Sequence, residues 1–177
     1  MIQLKKVTTQ KEAQTVAQLA KEIWEEHYTA ILGEQQVAYM LANLQSETAI
    51  FNELTQGKEY FLVQSNHTIV GYISYQLLPD QLFLSKLYLK QTERGQGTGR
   101  LLIEQLKDIA AKNKKEQLVL TVNKYNTNTI AAYKKFGFEL VKEQVADIGG
   151  GYVMDDYILQ YRLIKKSGTS RPDSKEI

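Results

Sequence analysis

Apolar and polar positions follow a helical period through the first third of the chain. Between residues 13 and 27 apolar side chains recur every three or four positions, as on a helix that lays one face against a core. The same period predicts helices over residues 35–45 and 46–56. Residues 2–7 alternate instead, which predicts a short strand ahead of the first helix.

From residue 59 onward the period changes to that of strands. Three β-rich runs with turns between them predict an antiparallel meander, over residues 60–64, 69–77 and 82–89. The last run leads through a glycine-rich loop to an amphipathic helix over residues 101–113 and then to a strand over residues 117–122. A strand, helix and strand in that order predict that the two strands lie parallel.

The remaining pattern predicts one more helix and two strands. The helix ends near residue 136 with Gly137 as its cap, and strand-like runs follow over residues 138–145 and 152–163. Taken with the length of 177 residues and the hydrophobic fraction of 43%, these elements predict a single domain over residues 1–165. Residues 166–177, which contain glycine, serine, proline and several charges, are expected to form a flexible tail.

Composition excludes several classes of chemistry. The formal net charge of +2, without a basic block, gives no reason to expect nucleic-acid binding. The chain has no cysteine and two histidines far apart in sequence, so we expect neither disulfides nor a metal site. The N-terminal residues lack the apolar core of a signal peptide, and no run reaches the ~18 apolar residues of a membrane span. A soluble, cytoplasmic protein without membrane partners is expected.

The loop before the helix of residues 101–113 has the composition of an anion cradle. It reads Arg94, Gly95, Gln96, Gly97, Thr98, Gly99, Arg100. Glycines at alternate positions allow tight backbone conformations, and the following helix offers unpaired amides and the positive end of its dipole. A dinucleotide fingerprint would need glycine where Arg100 stands, and a nucleotide P-loop would need Gly-Lys-Ser/Thr at its end. On the loop alone, a simple strand-to-helix turn also stays open.

A second motif lies downstream, and the pair resembles the GNAT superfamily of acyl-CoA-dependent N-acyltransferases. Arg94, Gly97 and Gly99 match the Gln/Arg-x-x-Gly-x-Gly/Ala pattern of that family. Asn126, followed seven residues later by Tyr133 and then by a Phe-Gly-Phe ending at residues 136–138, is similar to its later pattern. Both motifs stand in the family's order, and the resemblance covers most of residues 58–163. Either motif alone is weak, whereas the pair in register is strong.

The resemblance implies a fold and a cosubstrate. The fold is α/β in the broad sense, an α+β arrangement in which a central mixed, largely antiparallel sheet of about seven strands is flanked by helices. The cosubstrate is acetyl-CoA, with no metal. The implied cofactor-binding residues are Leu87, Tyr88, Leu89, Arg94, Gly95, Gln96, Gly97, Thr98, Gly99, Arg100, Asn126 and Tyr133.

Within that set each group has an implied role. The main chain of residues 87–89 would meet the pantetheine arm and the acyl carbonyl, and the amides of residues 95–100 would hold the pyrophosphate. Asn126 would hydrogen-bond the pantetheine region. Tyr133 would act as the catalytic general acid, because a phenol of pKa ~10 can protonate a departing thiolate of pKa ~8.5.

The general base and the amine acceptor are less determined. Many family members use a glutamate on the strand before the glycine loop, but this chain has Ser85 and Lys86 there and no acid between Leu82 and Lys90. The candidates for the base are Glu25, Glu26, His27, Asp155 and Asp156. The candidates for binding the acceptor are Trp24, His27, Tyr28, Asp155 and Asp156. Strand alternation should turn one of the two aspartates inward.

The resulting hypothesis is an N-acetyltransferase that moves the acetyl group directly to a primary amine, without a covalent enzyme intermediate. A small cationic amine such as a polyamine is suggested, while a protein N-terminus, a lysine or an antibiotic amine would also suit. A non-catalytic acyl-CoA-binding regulatory module is the alternative from another class, and a purely structural domain is a third. The C-terminal strands could support a homodimer.

Overall fold

The computed structural model describes residues 1–163, which form one mixed seven-stranded sheet with helices on both faces. The strands are β1 (Ile2–Lys6), β2 (Glu59–Ser65), β3 (Thr68–Leu77), β4 (Gln81–Leu89), β5 (Gln117–Asn123), β6 (Glu139–Gly149) and β7 (Tyr152–Arg162). The helices are α1 (Gln10–His27), α2 (Thr29–Leu32), α3 (Glu34–Asn43), α4 (Glu47–Thr55), α5 (Thr98–Lys112) and α6 (Thr127–Lys135). The fold class predicted from the sequence is confirmed. The expected tail over residues 166–177 lies outside the described residues.

The strands are ordered β1-β2-β3-β4-β5-β7-β6 across the sheet. The predicted meander of β2, β3 and β4 is confirmed, and so is the parallel pairing of β4 with β5. All other neighbours are antiparallel. The sequence did not predict that β7 lies between β5 and β6, nor the four-residue helix α2. The order matters for the site, because it brings β7 beside the end of β5.

Two apolar layers hold the sheet between its helices. On one face α5 and α6 bury residues such as Leu102, Leu106 and Ile130 against the central strands. On the other face α1, α3 and α4 bury Trp24 and Ile50 together with side chains of β2 and β3. Burial of this kind stabilises a domain by roughly 25 cal/mol per Å² of apolar surface removed from water. Of the predicted elements, α1 fits its pattern closely, with a capping box between Thr9 and Glu12 at its start.

A bulge at Ser85 decides which face the end of β4 presents. The pairing of β4 with β3 skips this residue, passing from Leu84 opposite Tyr75 to Lys86 opposite Ser74. Strict alternation would put Lys86 on the face of Leu84, whereas the extra residue turns it to the α1 face. Tyr88 is turned with it and packs in the α1 layer, while Leu87 joins the α5 layer.

The same region of β4 separates from β5. Their parallel pairing runs only from Gln81 opposite Gln117 to Leu84 opposite Leu120. Beyond Leu84 the strand keeps its antiparallel partner β3 and has no partner on the other side within residues 1–163. An opening between two strands is thus built into the middle of the sheet.

The sheet permits little change at Gly71 of β3. A Cβ at this position would overlap the main-chain oxygen of Tyr88 and lie 2.8 Å from Cδ2 of Leu89. We expect Gly71→Ala to lower the free energy of unfolding by about 1–3 kcal/mol, since the β4 backbone has to move. Chemical denaturation measures this change.

Gly99→Ala is the matched control for that substitution. A Cβ at Gly99 meets no atom within 4 Å, and Gly99 lies in the first turn of α5. Alanine should therefore leave the stability unchanged or raise it by up to about 1 kcal/mol. Equal losses of stability in the two variants would contradict the assignment of the effect to the β3–β4 contact.

Candidate active site

A cleft of about 610 Å³ opens where β4 and β5 separate. It extends from the N-terminus of α5, past α6, to the C-terminal end of α1. Most residues predicted to bind the cofactor line it, namely Leu87, Tyr88, Leu89, Arg94, Gly95, Gly97, Gly99, Arg100, Asn126 and Tyr133. Trp24, His27, Tyr28 and Asp156, predicted to bind the acceptor, line it as well.

The glycine loop reaches α5 through two left-handed residues. Gly95 and Gly97 have φ of 76° and 84°, a region that favours glycine, and Gly97 is the N-cap of α5. Thr98 and Gln96 do not line the cleft with the rest of the loop. The buried Thr98 hydroxyl donates to Oε1 of Glu93 at 3.0 Å, and the Gln96 side-chain amide donates to the carbonyl of Thr92 at 2.8 Å. These two side chains shape the loop, and the amides of the first turn of α5, which have no intrahelical acceptor, are the groups that can bind an anion there.

Arg94 ties this loop to two other elements. One guanidinium nitrogen donates to the main-chain oxygen of Leu89 at 3.1 Å, at the end of β4. The other donates to Nδ1 of His27 at 3.0 Å, at the end of α1. Since arginine is only a donor, Nδ1 of His27 must be the acceptor.

The hydrogen bond from Arg94 determines the tautomer of His27. Its Nε2 then carries the proton and donates to Oδ1 of Asn126 at 3.1 Å. Nδ2 of Asn126 in turn donates to the hydroxyl of Tyr28 at 3.3 Å. The result is a chain of side chains, Arg94-His27-Asn126-Tyr28, which we call the relay. Burial, followed by the charge of Arg94, lowers the pKa of His27 below its ordinary value, although the bond to Asn126 opposes this.

The relay changes two sequence-based expectations. Both ring nitrogens of His27 have protein partners, so it is not a free base. The carboxamide of Asn126, expected to meet the pantetheine region, has both of its ends bonded to α1 and its neighbour Tyr28. Glu25 and Glu26 are exposed and do not line the cleft, and Glu25 is paired with Lys21 at 2.8 Å. The structure therefore places neither of these two candidates for the base in the cleft.

Tyr133 is buried on α6, and its ring is held by the Phe-Gly-Phe segment that follows. Its ring centroid lies 6.3 Å from that of Phe136 and 5.5 Å from that of Phe138, both in edge-on geometry. Gly137 between them has φ of 100°, which turns the chain from α6 into β6. Burial, with a smaller contribution from Tyr28, raises the pKa of Tyr133 above its ordinary value. The phenol therefore keeps its proton at neutral pH.

The two aspartates of β7 face opposite sides of the sheet, as alternation predicts. Asp156 is buried, lines the cleft and lies opposite Asn123 of β5. Asp155 does not line the cleft and is paired with Lys124 at 3.1 Å. Asp155, expected as a candidate for the acceptor site, is thus placed on the face opposite Asp156 and outside the cleft. Burial, followed by the charge of Asp155, raises the pKa of Asp156 to about 6.

An aromatic cluster lines the cleft, and while the sequence analysis named Trp24 and Tyr28 as candidates for binding the acceptor, it did not predict their packing with Tyr88. Trp24 stacks on Tyr28 at 4.3 Å between ring centroids, and Tyr88 meets Trp24 edge-on at 5.2 Å. Tyr72 of β3 supports Tyr88 from behind at 5.4 Å and accepts a hydrogen bond from Nε1 of Trp24. Only the bulge at Ser85 places Tyr88 on this face, so the β4 pattern carried no signal for it.

A buried ion pair lies beside this cluster. Lys86 of β4 approaches Oε1 of Glu53 to 3.5 Å and donates to the hydroxyl of Tyr60, which in turn donates to Glu53. Burial lowers the pKa of Lys86 to about 8, although the charge of Glu53 opposes the shift. The sequence analysis singled out Lys86 because it stands on the strand where a catalytic glutamate was expected. Its partner is distant in sequence and could not be assigned from it.

Two absences concern the described residues alone. Within residues 1–163, no group of three or more histidine, cysteine, aspartate or glutamate side chains is placed to hold a metal ion. No helix in that part of the chain is long and apolar enough to cross a membrane.

Comparison with known proteins supplies independent information. The model of the acetyltransferase (GNAT) family matches residues 16–138. A spermidine N(1)-acetyltransferase of Thermoplasma acidophilum is 22% identical over 144 residues, covering 78% of this chain and 89% of that protein. An L-2,4-diaminobutyric acid acetyltransferase of Nocardia farcinica is 32% identical over 85 residues, covering 46% of this chain and 44% of that protein.

Solved structures agree on the fold. The PaiA N-acetyltransferase of Thermoplasma acidophilum, determined in complex with coenzyme A, superposes with a TM-score of 0.76 at 21% identity. The match covers 92% of this chain and 99% of that one.

The relay predicts a specific tautomer and titration of His27. Long-range ¹⁵N–¹H spectra should show the proton on Nε2 and a titration midpoint below the ordinary pKa of ~6.5. Because the folded pKa is the lower one, the stability contributed by neutral His27 is fully present above the unfolded pKa of ~6.5 and is lost as the pH falls from there through the lower folded pKa. The signal should vanish in His27→Gln and persist in His67→Gln. A proton on Nδ1, or a midpoint raised above ~6.5, would contradict the relay.

Proposed function

The chain belongs to the GNAT family of acetyltransferases, and on that basis we propose that it transfers the acetyl group of acetyl-CoA to the primary amine of a small cationic acceptor. The observation that carries the proposal is the continuity of the cleft. One opening joins an anion cradle at the N-terminus of α5, the unpaired edge of β4 and the side chain of Tyr133. Acetyl-CoA has three matching parts, which are a pyrophosphate, an extended pantetheine arm and a thioester that carries the acetyl group.

The cradle suits the pyrophosphate. Amides at the start of a 15-residue helix, together with the helix dipole, favour an anion by roughly 0.3–1 kcal/mol for each charge. Arg100 and Arg94 line the same end of the cleft and add positive charge. Gly99 leaves open the space above the first turn, where a side chain would otherwise stand. A phosphate can therefore approach the backbone closely.

The β4 edge suits the pantetheine arm. Residues 87–89 follow the point where β5 leaves β4, so their main chain can pair with an extended ligand as with an added strand. The amide groups of pantetheine are suitable partners for such an edge. Asn126 can contribute once its carboxamide exchanges a relay partner for the ligand.

The acyl end then lies near Tyr133, for which we propose the role of general acid. The amine attacks the acetyl carbon, the carbon–sulfur bond breaks, and the phenol gives its proton to the sulfur. Burial raises the pKa of Tyr133, which weakens it as an acid. The same apolar surroundings raise the pKa of the leaving thiol, so the relation between donor and acceptor is preserved in part.

A cationic acceptor is supported by the aromatic cluster. Tyr28 and Tyr88 line the cleft together with the buried Trp24, on which Tyr28 stacks, and aromatic rings attract ammonium groups. The names of two relatives, one acting on spermidine and the other on diaminobutyric acid, agree with a small diamine or polyamine. The experiment that tests the proposal is release of free coenzyme A from acetyl-CoA with a panel of polyamines, diamino acids, lysine peptides and aminoglycosides. Release with none of them would contradict it.

Removing one hydroxyl should separate catalysis from binding. Tyr133→Phe is expected to lower kcat by about 10²–10⁴-fold, because the thiolate then leaves without a proton donor. Affinity for acetyl-CoA, measured by calorimetry, should stay nearly the same. Tyr125→Phe, which alters an exposed tyrosine just before α6, is the control and should behave as the unaltered protein. An acyl-CoA sensor without chemistry would have no turnover to lose in either variant.

Filling the cradle should block the cosubstrate without unfolding the protein. Gly99→Leu projects a side chain into open space at the start of α5. We expect a loss of acetyl-CoA affinity of at least about tenfold, equivalent to ~1.4 kcal/mol, with an unchanged unfolding midpoint. Gly99→Ala should bind more tightly than Gly99→Leu, since its methyl group is small. Unchanged affinity in Gly99→Leu would place the pyrophosphate elsewhere.

A further inference from the structure

One buried charge in the cleft has no partner. Oδ1 of Asp156 is buried and makes no hydrogen bond with any group of residues 1–163, and Asp156 forms no ion pair there. Buried carboxylates are ordinarily bonded or paired, because removal from water disfavours the charged form strongly. An unpartnered carboxylate that faces a cleft thus indicates a ligand that completes it.

The surroundings of Asp156 define the chemistry of that ligand. The phenols of Tyr28 and Tyr88 lie close enough for their ionisation to be disfavoured by its charge, and both stay protonated because burial raises their pKa. Asp155, its chain neighbour, points to the other face and is held by Lys124. No lysine or arginine within residues 1–163 forms an ion pair with Asp156. A cation supplied from the cleft is the complement that this arrangement lacks.

Several other titratable groups of the cleft already have partners, and Glu93, the other carboxylate that lines the cleft, accepts a hydrogen bond from Thr98 at 3.0 Å. His27 uses both ring nitrogens in the relay, and Lys86 is bound by Glu53 and Tyr60. Tyr133 is a proton donor at neutral pH. Asp156 is therefore the one cleft side chain in the described part of the protein that is both anionic and unoccupied.

We propose that the carboxylate of Asp156 binds the ammonium group of the acceptor and takes a proton from it. This inference rests on the proposed acetyl transfer and names the base and the charge selectivity of the same site. It also explains why the chain can lack an acid between Leu82 and Lys90. The base comes from β7, which the strand order β5-β7-β6 brings beside the end of β5.

The protons balance as follows. The bound ammonium gives one proton to Asp156, and the freed electron pair of the nitrogen attacks the acetyl carbon. The carbon–sulfur bond breaks with its electrons on sulfur, which takes the proton of Tyr133. The second proton lost by the nitrogen restores the phenol, and Asp156 returns its own proton to solvent. Each turnover converts ammonium and thioester to amide, thiol and one released proton.

The test is the pH dependence of kcat/KM in Asp156→Asn, with the most active amine of the panel as acceptor. In the unaltered protein the anionic base meets the protonated amine, so kcat/KM should be level from above pH ~6 to near the amine pKa of ~10. The variant can use only the neutral amine, whose fraction grows tenfold for each pH unit below ~10. Its deficit should therefore exceed about 10²-fold at pH 7 and shrink by about tenfold with each unit of rising pH.

Glu143→Gln is the matched control. Glu143 lies on β6 beside the strand partner of Asp156, is exposed and contacts Lys124 on the far face. Its kcat/KM should follow the profile of the unaltered protein. A deficit in Asp156→Asn that is the same at every pH would overturn the proposal, because a structural role has no reason to follow the ionisation of the amine.

Stability supplies a second, independent measurement. The folded pKa of Asp156 lies above that of an unfolded aspartate, so the folded protein binds more protons and loses stability as the pH rises from about 4 to 6. Asp156→Asn removes this loss, and at pH 7 it should unfold at a temperature equal to or higher than that of the unaltered protein. A stabilised variant with a pH-dependent deficit supports a binding carboxylate, whereas a destabilised one overturns it. Asp156→Ser repeats the comparison with a smaller side chain.

Failure of this inference and failure of the proposed function are distinguishable. If the unaltered protein acetylates no amine of the panel, the proposed function fails and the assignment of Asp156 falls with it. If the unaltered protein is active and the two pH profiles are parallel, acetyl transfer stands and Asp156 is not the base.

Discussion

The departure of β5 from β4 after Leu84 is the constraint on which the rest of the site depends. A parallel pair that stayed in register would close the sheet and leave no edge for a ligand. The bulge at Ser85 accompanies this departure on the other side of β4 and turns the following side chains over. In residues 86–89 the bulge therefore changes the direction of the side chains, and the loss of β5 leaves one backbone edge unpaired. The cleft and the position of Tyr88 in the aromatic cluster both follow from these two changes along β4.

The first third of the chain is joined to that opening by hydrogen bonds rather than by the sheet. Arg94 comes from the glycine loop, His27 and Tyr28 from the end of α1, and Asn126 from the start of α6. Each contact is an ordinary one of about 3 Å, but together they fix three elements relative to each other. The relay thus links Arg94 in the glycine loop to Tyr28 in the aromatic cluster.

What could be predicted from the sequence was local. The glycine loop and the Asn126-Tyr133 motif are short segments whose backbone follows from their own residues, so both were located correctly in the fold. Alternation showed that Asp155 and Asp156 must face opposite sides, but only the strand order identifies which one faces the cleft. The bulge at Ser85 defeats alternation, so the orientation of Tyr88 and Lys86 could not be read from β4 alone. Partners such as Glu53 for Lys86 are brought together by the tertiary fold, and no sequence spacing encodes them.

The cleft wall contains two buried charges, and their different surroundings separate a structural charge from a functional one. The ammonium group of Lys86 contacts Glu53, the hydroxyl of Tyr60 and the carbonyl of Leu44. Removal of any of these partners would leave a buried charge incompletely paired, which is destabilising. Oδ1 of Asp156 has no such partner, so its burial lowers the stability of the folded protein. A sequence selected for stability alone would replace that aspartate with a neutral side chain, which the strand could accommodate. The unpartnered carboxylate of Asp156 is therefore better explained by a ligand of the cleft than by a contribution to the stability of the sheet.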